Sequence, residues 1–128
     1  MALVLATLLM LQTSAVQKRA SAKLRKPARY VATAYCTKGT TDAGVRTRPG
    51  IVAADPRLLP FGSLVRVDGL GGKSRTFVVM DSGSAVKGRH LDIFMPSCAA
   101  AKRFGRRTVI ARVVGSQRPE SMRAQARE

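Results

Sequence analysis

The sequence predicts a mainly-β domain closed into a barrel or folded as a sandwich, and three observations point there. Six short runs are rich in Val, Ile, Phe and Thr. Gly, Pro and Asp interrupt the chain between them, and only one stretch reads as a helix. The runs are 30–36, 50–54, 63–68, 75–80, 90–95 and 108–114. The second, Gly50-Ile51-Val52-Ala53-Ala54, stops at Asp55-Pro56. The third and fourth flank Asp68-Gly69-Leu70-Gly71-Gly72, which reads as a turn. No P-loop Lys-Ser/Thr pair ends it and no helical pattern follows, so a nucleotide loop is excluded. The fourth run ends at Asp81, and the fifth carries Asp92 between Leu91 and Ile93. The helix runs from Cys98 to Phe104, with Pro96-Ser97 as its capped start and Gly105 as its stop.

The ends differ in texture from this β-rich middle. The first fifteen residues, MALVLATLLMLQTSA, are uncharged and end in small residues. They have the shape of a signal-peptide apolar region, with cleavage after Ala15 or Ala22, although no basic residue follows Met1. The run is shorter than the ~20 residues of a spanning helix; a buried core helix is the alternative. The expected organisation is a signal peptide over 1–22, a basic linker over 23–29, a domain over 30–115 and a polar tail over 116–128. The mature chain would carry no membrane span.

The net charge is +16; Lys18, Arg19, Lys23, Arg25, Lys26 and Arg29 crowd the segment before the domain, and Arg118, Arg123 and Arg127 lie in the tail. Such a field draws a protein to polyanions, which outside the membrane means acidic wall polymer or anionic lipid. The basic segments lack interleaved aromatics, so no nucleic acid is expected. Cys36 and Cys98 are the only cysteines. In an exported domain they point to one disulfide, closing a long loop; two free buried thiols are the alternative. With His90 as the lone histidine, paired zinc-ligand spacing is absent, so neither metal nor cofactor is expected.

Three aspartates stand apart from the turn-forming Asp42 and Asp68: Asp55, Asp81 and Asp92, each at or inside an apolar run. Taken alone, Asp55 before Pro56 reads as a turn cap rather than a site carboxylate, and Asp81 before Ser82-Gly83-Ser84 is open between the two. Asp92 is the least turn-like. Alternation sets it opposite Leu91 and Ile93, and a carboxylate inside an apolar strand is costly unless paired or placed in a cleft. If Asp81 and Asp92 share a site, one has a raised pKa and keeps a proton near neutral pH, as a general acid must.

The stretch from Thr33 to Val114 resembles the 3D domain of bacterial cell-wall proteins. The resemblance rests on Thr33-Ala34-Tyr35-Cys36, on Gly50-Ile51-Val52-Ala53-Ala54-Asp55-Pro56 with Leu59-Pro60-Phe61-Gly62-Ser63, on Asp81-Ser82-Gly83-Ser84-Ala85-Val86-Lys87-Gly88, and on Leu91-Asp92-Ile93-Phe94. That domain is related to the catalytic barrel of the membrane-bound lytic transglycosylase A family. The resemblance implies an all-β fold: a six-stranded double-psi β-barrel with one short helix. It also implies an exported envelope protein acting on peptidoglycan glycan strands, with Asp92 as the single acid/base that forms 1,6-anhydro-muramic ends. Asp81 would position Asp92, and Asp55 would be structural or a further member of the acid site. Thr33, Tyr35, Lys87, Gly83 and Gly88 are the candidate sugar contacts, and His90 is expected at the surface. A non-catalytic module that binds wall glycan, or acidic wall polymer through its basic linker, is the competing reading.

Overall fold

The computed structural model describes residues 25–117. The expected signal peptide and nearly all of the expected tail lie outside them. Six strands and one helix follow in order: β1 Ala28–Tyr35, β2 Ile51–Ala54, β3 Ser63–Leu70, β4 Lys73–Asp81, β5 His90–Phe94, α1 Cys98–Phe104 and β6 Arg107–Ser116. The strands close into a barrel in the order β1-β5-β2-β4-β3-β6. β1 runs parallel to β5 and β2 parallel to β4, while every other neighbour is antiparallel. This is the double-psi β-barrel that the resemblance implied. Closure leaves no free sheet edge along the ring.

Alternation explains the interior. Tyr30 and Ala32 of β1, Val52 and Ala54 of β2, Val65 and Val67 of β3, Phe77 and Val79 of β4, Leu91 and Ile93 of β5, and Val109 and Ala111 of β6 all join one core. The outward residues on one flank are also apolar. Ile51, Val78 and Met80 pack against Ala43 and Val45, which descend from the long β1–β2 connection. That connection folds back as a small hairpin through a Thr40–Arg46 bridge. It is clamped to β4 by the Ala43 amide, which donates to the Met80 carbonyl at 3.3 Å.

Two local features differ from the sequence expectation. β1 starts at Ala28, inside the stretch expected as linker, because Ala28 and Arg29 pair with Ala111 and Ile110. β4 starts at Lys73, where exposed residues are held by cross-strand pairing with β3 rather than by burial. The helix matches residue for residue. Ser97 Oγ accepts from the Ala100 amide at 3.2 Å, and Gly105 at φ 65 returns its N–H to the Ala101 carbonyl. Cys36 and Cys98 form a disulfide across 62 residues of chain, tying the start of the β1–β2 connection to α1. A loop of that length corresponds to about 4 kcal/mol in the chain-entropy model. Among the described residues no helix is long and apolar enough to cross a membrane.

Candidate functional site

The pairing registers assemble the site before any side chain is considered. Thr33 on β1 is opposite Asp92 on β5, Asp92 is opposite Ala53 on β2, and Ala53 is opposite Asp81 on β4. These four residues form one row across four strands. Asp81 enters the row through an irregularity. The β2–β4 register runs Ile51↔Val78, Val52↔Val79 and then shifts to Ala53↔Asp81, skipping Met80. A bulge of this kind re-aims a side chain, and here it sets Asp81 rather than Met80 beside Ala53.

Asp81 and Asp92 therefore lie two strand spacings apart, about 10 Å between Cα atoms, with the small side chain of Ala53 between them. Both line a groove of ≈ 320 Å³ on the outer flank of the barrel. Its far wall comes from the β1–β2 connection, through Thr37, Lys38, Gly39, Thr40 and Thr47. Tyr35 and Gly83, two of the candidate sugar contacts, also line it. Sequence reasoning missed the threonine-rich wall. Its signal was the length of that connection, the longest between strands, since long connections are where binding residues collect.

The two carboxylates have different settings. Asp81 Oδ2 accepts from the Tyr35 hydroxyl at 2.8 Å, and Oδ1 accepts from the Asp42 and Ser82 amides at 3.2 and 3.0 Å. Ser82 Oγ in turn bonds the Asp42 carboxylate. Burial, reinforced by the bond to Asp81, pushes the Tyr35 phenol far above its usual range, so it stays a neutral donor. Asp92 is half-buried, and Oδ1 accepts from the Thr33 hydroxyl at 2.9 Å. Its Oδ2 has no hydrogen-bond partner among the described residues. Burial raises the Asp92 pKa above the ordinary carboxyl value. The charge of Asp81 adds to that rise, while the Thr33 bond and the charge of His90 oppose it.

Asp92 is thus held by Thr33, and no hydrogen bond joins it to Asp81. Thr33 stands behind the groove rather than among its lining residues. His90 corrects the surface expectation: it is half-buried, with Nε2 2.7 Å from Thr33 Oγ1. The alternation that singled out Asp92 would have found it, because residues two apart on a strand share a face.

Asp55 is not brought into the groove. Its side chain is 2 % exposed. Oδ1 accepts from the Arg57 amide and Nε, both at 3.1 Å, and Oδ2 from Arg57 Nη2 and the Gly88 amide, both at 2.9 Å. These bonds, led by the Arg57 side chain, hold its carboxyl well below the usual range. Gly88 meets Asp55 at φ 66, a conformation that suits glycine. Its amide is thereby committed to Asp55, and Lys87 is exposed outside the groove lining. A second cleft of ≈ 150 Å³ lies over Tyr30, lined by Arg25, Lys26, Arg89 and Arg112 and by no acidic residue.

Residues 50–114 match the family model of the 3D domain. The chain belongs to the 3D domain family. It is 38 % identical over 64 residues to the cell wall-binding protein YocH of Bacillus subtilis, covering 50 % of this chain and 21 % of YocH. It is 42 % identical over 66 residues to the "Probable endolytic peptidoglycan transglycosylase RlpA" of Aquifex aeolicus, covering 51 % of this chain and 28 % of RlpA. Among solved structures, Escherichia coli MltA with bound chitohexaose superposes with a TM-score of 0.52 at 21 % identity, over 63 % of this chain and 29 % of MltA. At that identity the likeness bears on the fold alone. The chain is thus similar in sequence to a probable peptidoglycan transglycosylase and to a cell wall-binding protein. This chain spans 21 % and 45 % of the length of the first curated relatives it matches.

Proposed function

We propose that this domain cleaves peptidoglycan glycan strands as a lytic transglycosylase, in the cell envelope after export, with Asp92 as the acid/base. The observation that carries the reading is one carboxyl, half-buried in an open groove, with a raised pKa and one oxygen unpartnered. In the reaction, Asp92 gives its proton to the oxygen leaving the muramic anomeric carbon, and the C1–O4 bond breaks. The resulting carboxylate takes the proton of the muramic C6 hydroxyl as O6 bonds to C1. The 1,6-anhydro ring forms, Asp92 regains its proton, and no water is consumed. One acid/base suffices, unlike the two-carboxylate glycosidases.

Asp81 supports this chemistry from across Ala53. Its negative charge keeps Asp92 protonated to higher pH, and Tyr35 fixes its orientation. Tyr35 and Gly83, with the threonine-rich wall, are the groove's sugar contacts in this reading. Asp55 acts by bracing the loop that leads into β5. The test is digestion of purified peptidoglycan followed by mass spectrometry. Anhydro-muropeptides are expected with the wild-type chain and not with Asp92→Asn. Their absence from both digests, or presence in both, would refute the reading.

The cation-lined cleft over Tyr30 favours a second reading, a module that also grips acidic wall polymer. Binding to insoluble wall material should weaken as salt rises, because screened contacts weaken. Salt-insensitive binding would count against it.

A further inference from the structure

Thr33 Oγ1 lies 2.9 Å from Asp92 Oδ1 and 2.7 Å from His90 Nε2. A hydroxyl has one hydrogen to donate and lone pairs to accept with. Its single hydrogen cannot serve both neighbours, so with that hydrogen donated within the chain the three groups have two directional settings. In one, His90 Nε2–H donates to Thr33, and the Thr33 hydroxyl donates to Asp92 Oδ1. In the other, Asp92 Oδ1–H donates to Thr33, and Thr33 donates to an unprotonated Nε2.

The two settings have opposite consequences at the groove. The first makes Oδ1 an acceptor, so a proton on Asp92 must sit on Oδ2, the oxygen without a partner among the described residues. The second buries the proton against Thr33, away from any bound sugar. We propose that His90, acting through Thr33, keeps Oδ1 of Asp92 an acceptor and thereby directs the acid proton to Oδ2. His90 is then a positioning residue for the reaction proposed above, and its role rests on that reading. The charged and titratable groups that face Asp92 are Asp81 from β4 and His90 from its own strand, with Lys38 on the far wall of the groove; β1 contributes Thr33 and the phenol of Tyr35, which is already committed to Asp81. The placement follows from register: His90 and Asp92 are two apart on β5, and Thr33 is the residue of β1 directly opposite Asp92.

The chain has one histidine, so its ring nitrogens give one unambiguous pair of ¹⁵N signals. The neutral ring should be the Nε2–H tautomer. A neutral Nδ1–H ring would overturn the proposal. The second measurement follows the Asp92 carboxyl ¹³C shift against pH in four chains: wild type, His90→Phe, Thr33→Val and the double variant. With Thr33 present, His90→Phe should raise the Asp92 midpoint by about one unit. In the Thr33→Val background the rise should fall to less than half of that, because the charge of His90 acts through space in both backgrounds but the chain needs the hydroxyl. Thr33→Ser, which keeps the hydroxyl, should restore the full effect and controls for loss of packing. Equal rises in both backgrounds, or none in either, would overturn the proposal. None of these signals needs substrate, so a chain that forms no anhydro-muropeptides would refute the proposed activity and leave this coupling standing.

Discussion

Asp55, just past the end of β2, and Asp92, in the middle of neighbouring β5, are the same side chain, and the barrel treats them in opposite ways. Asp55 is buried and accepts four hydrogen bonds, three from Arg57 and one from Gly88, 33 residues away. Asp92 is half-buried, accepts one, from Thr33, and lines a groove with its other oxygen unpartnered among the described residues. One carboxyl is pushed below the ordinary range and the other above it. Satisfied donors make a carboxylate part of the frame; a carboxyl denied them keeps a proton that it can give away. Asp81 combines the two settings: both its oxygens accept hydrogen bonds, like those of Asp55, but it lines the groove with Asp92.

The contrast can be broken most sharply at Asp92. Asp92→Asn keeps shape and removes the proton donor, so formation of anhydro ends should fall by about 10³-fold, read by quantitative mass spectrometry of a peptidoglycan digest. In the wild-type chain, cleavage should be lost as pH rises through the raised Asp92 midpoint, because the acid is then ionised before it meets substrate. A rate profile from pH 4 to 9 checks the sign.

At Asp55 the effect should fall on stability. Asp55→Ala strands the Gly88 amide and frees the Arg57 side chain, and Tm should drop by about 5–10 °C at pH 7. The folded carboxyl is depressed, so its contribution is present above the unfolded Asp pKa and lost as pH falls through the lower folded value. The deficit of the variant should therefore narrow in acid, below about pH 4. Calorimetry at pH 7 and pH 3 reads both. The smallest effect has the opposite sign. Ionised Asp92 is disfavoured in the fold, so the stability tied to its proton is present at low pH and lost as pH rises through its folded midpoint. Asp92→Asn should raise Tm by roughly 2–3 °C at pH 8 and not at pH 4.

How far these roles could be read in the chain depends on the range of the interactions that create them. The six strands and α1 were legible because apolar alternation, glycine breaks and the Ser97 cap are local. Asp92 was legible for the same reason, since a carboxylate between Leu91 and Ile93 violates a local pattern. The extra residues of β1, at Ala28 and Arg29, were not, because their partners Ala111 and Ile110 on β6 are far away in the chain. Asp55 could not be told from a catalytic carboxylate, because its partners include Gly88 and its burial is set by loops far apart in the chain. The bulge that brings Asp81 level with Ala53 is a property of strand pairing, and no composition signals it. His90 is legible on the same ground as Asp92: it is two residues before it on β5 and shares its face.

The most direct measurement is the site-resolved titration of the wild-type aspartate carboxyls by ¹³C NMR, with Asp55→Asn and Asp92→Asn to assign the signals. The account predicts that Asp92 titrates above the ordinary carboxyl range and Asp55 below it, with the gap between them spanning that range. An Asp92 that loses its proton at or below the ordinary value would show that the groove does not favour the proton-bearing form, and would contradict the assignment of Asp92 as the acid.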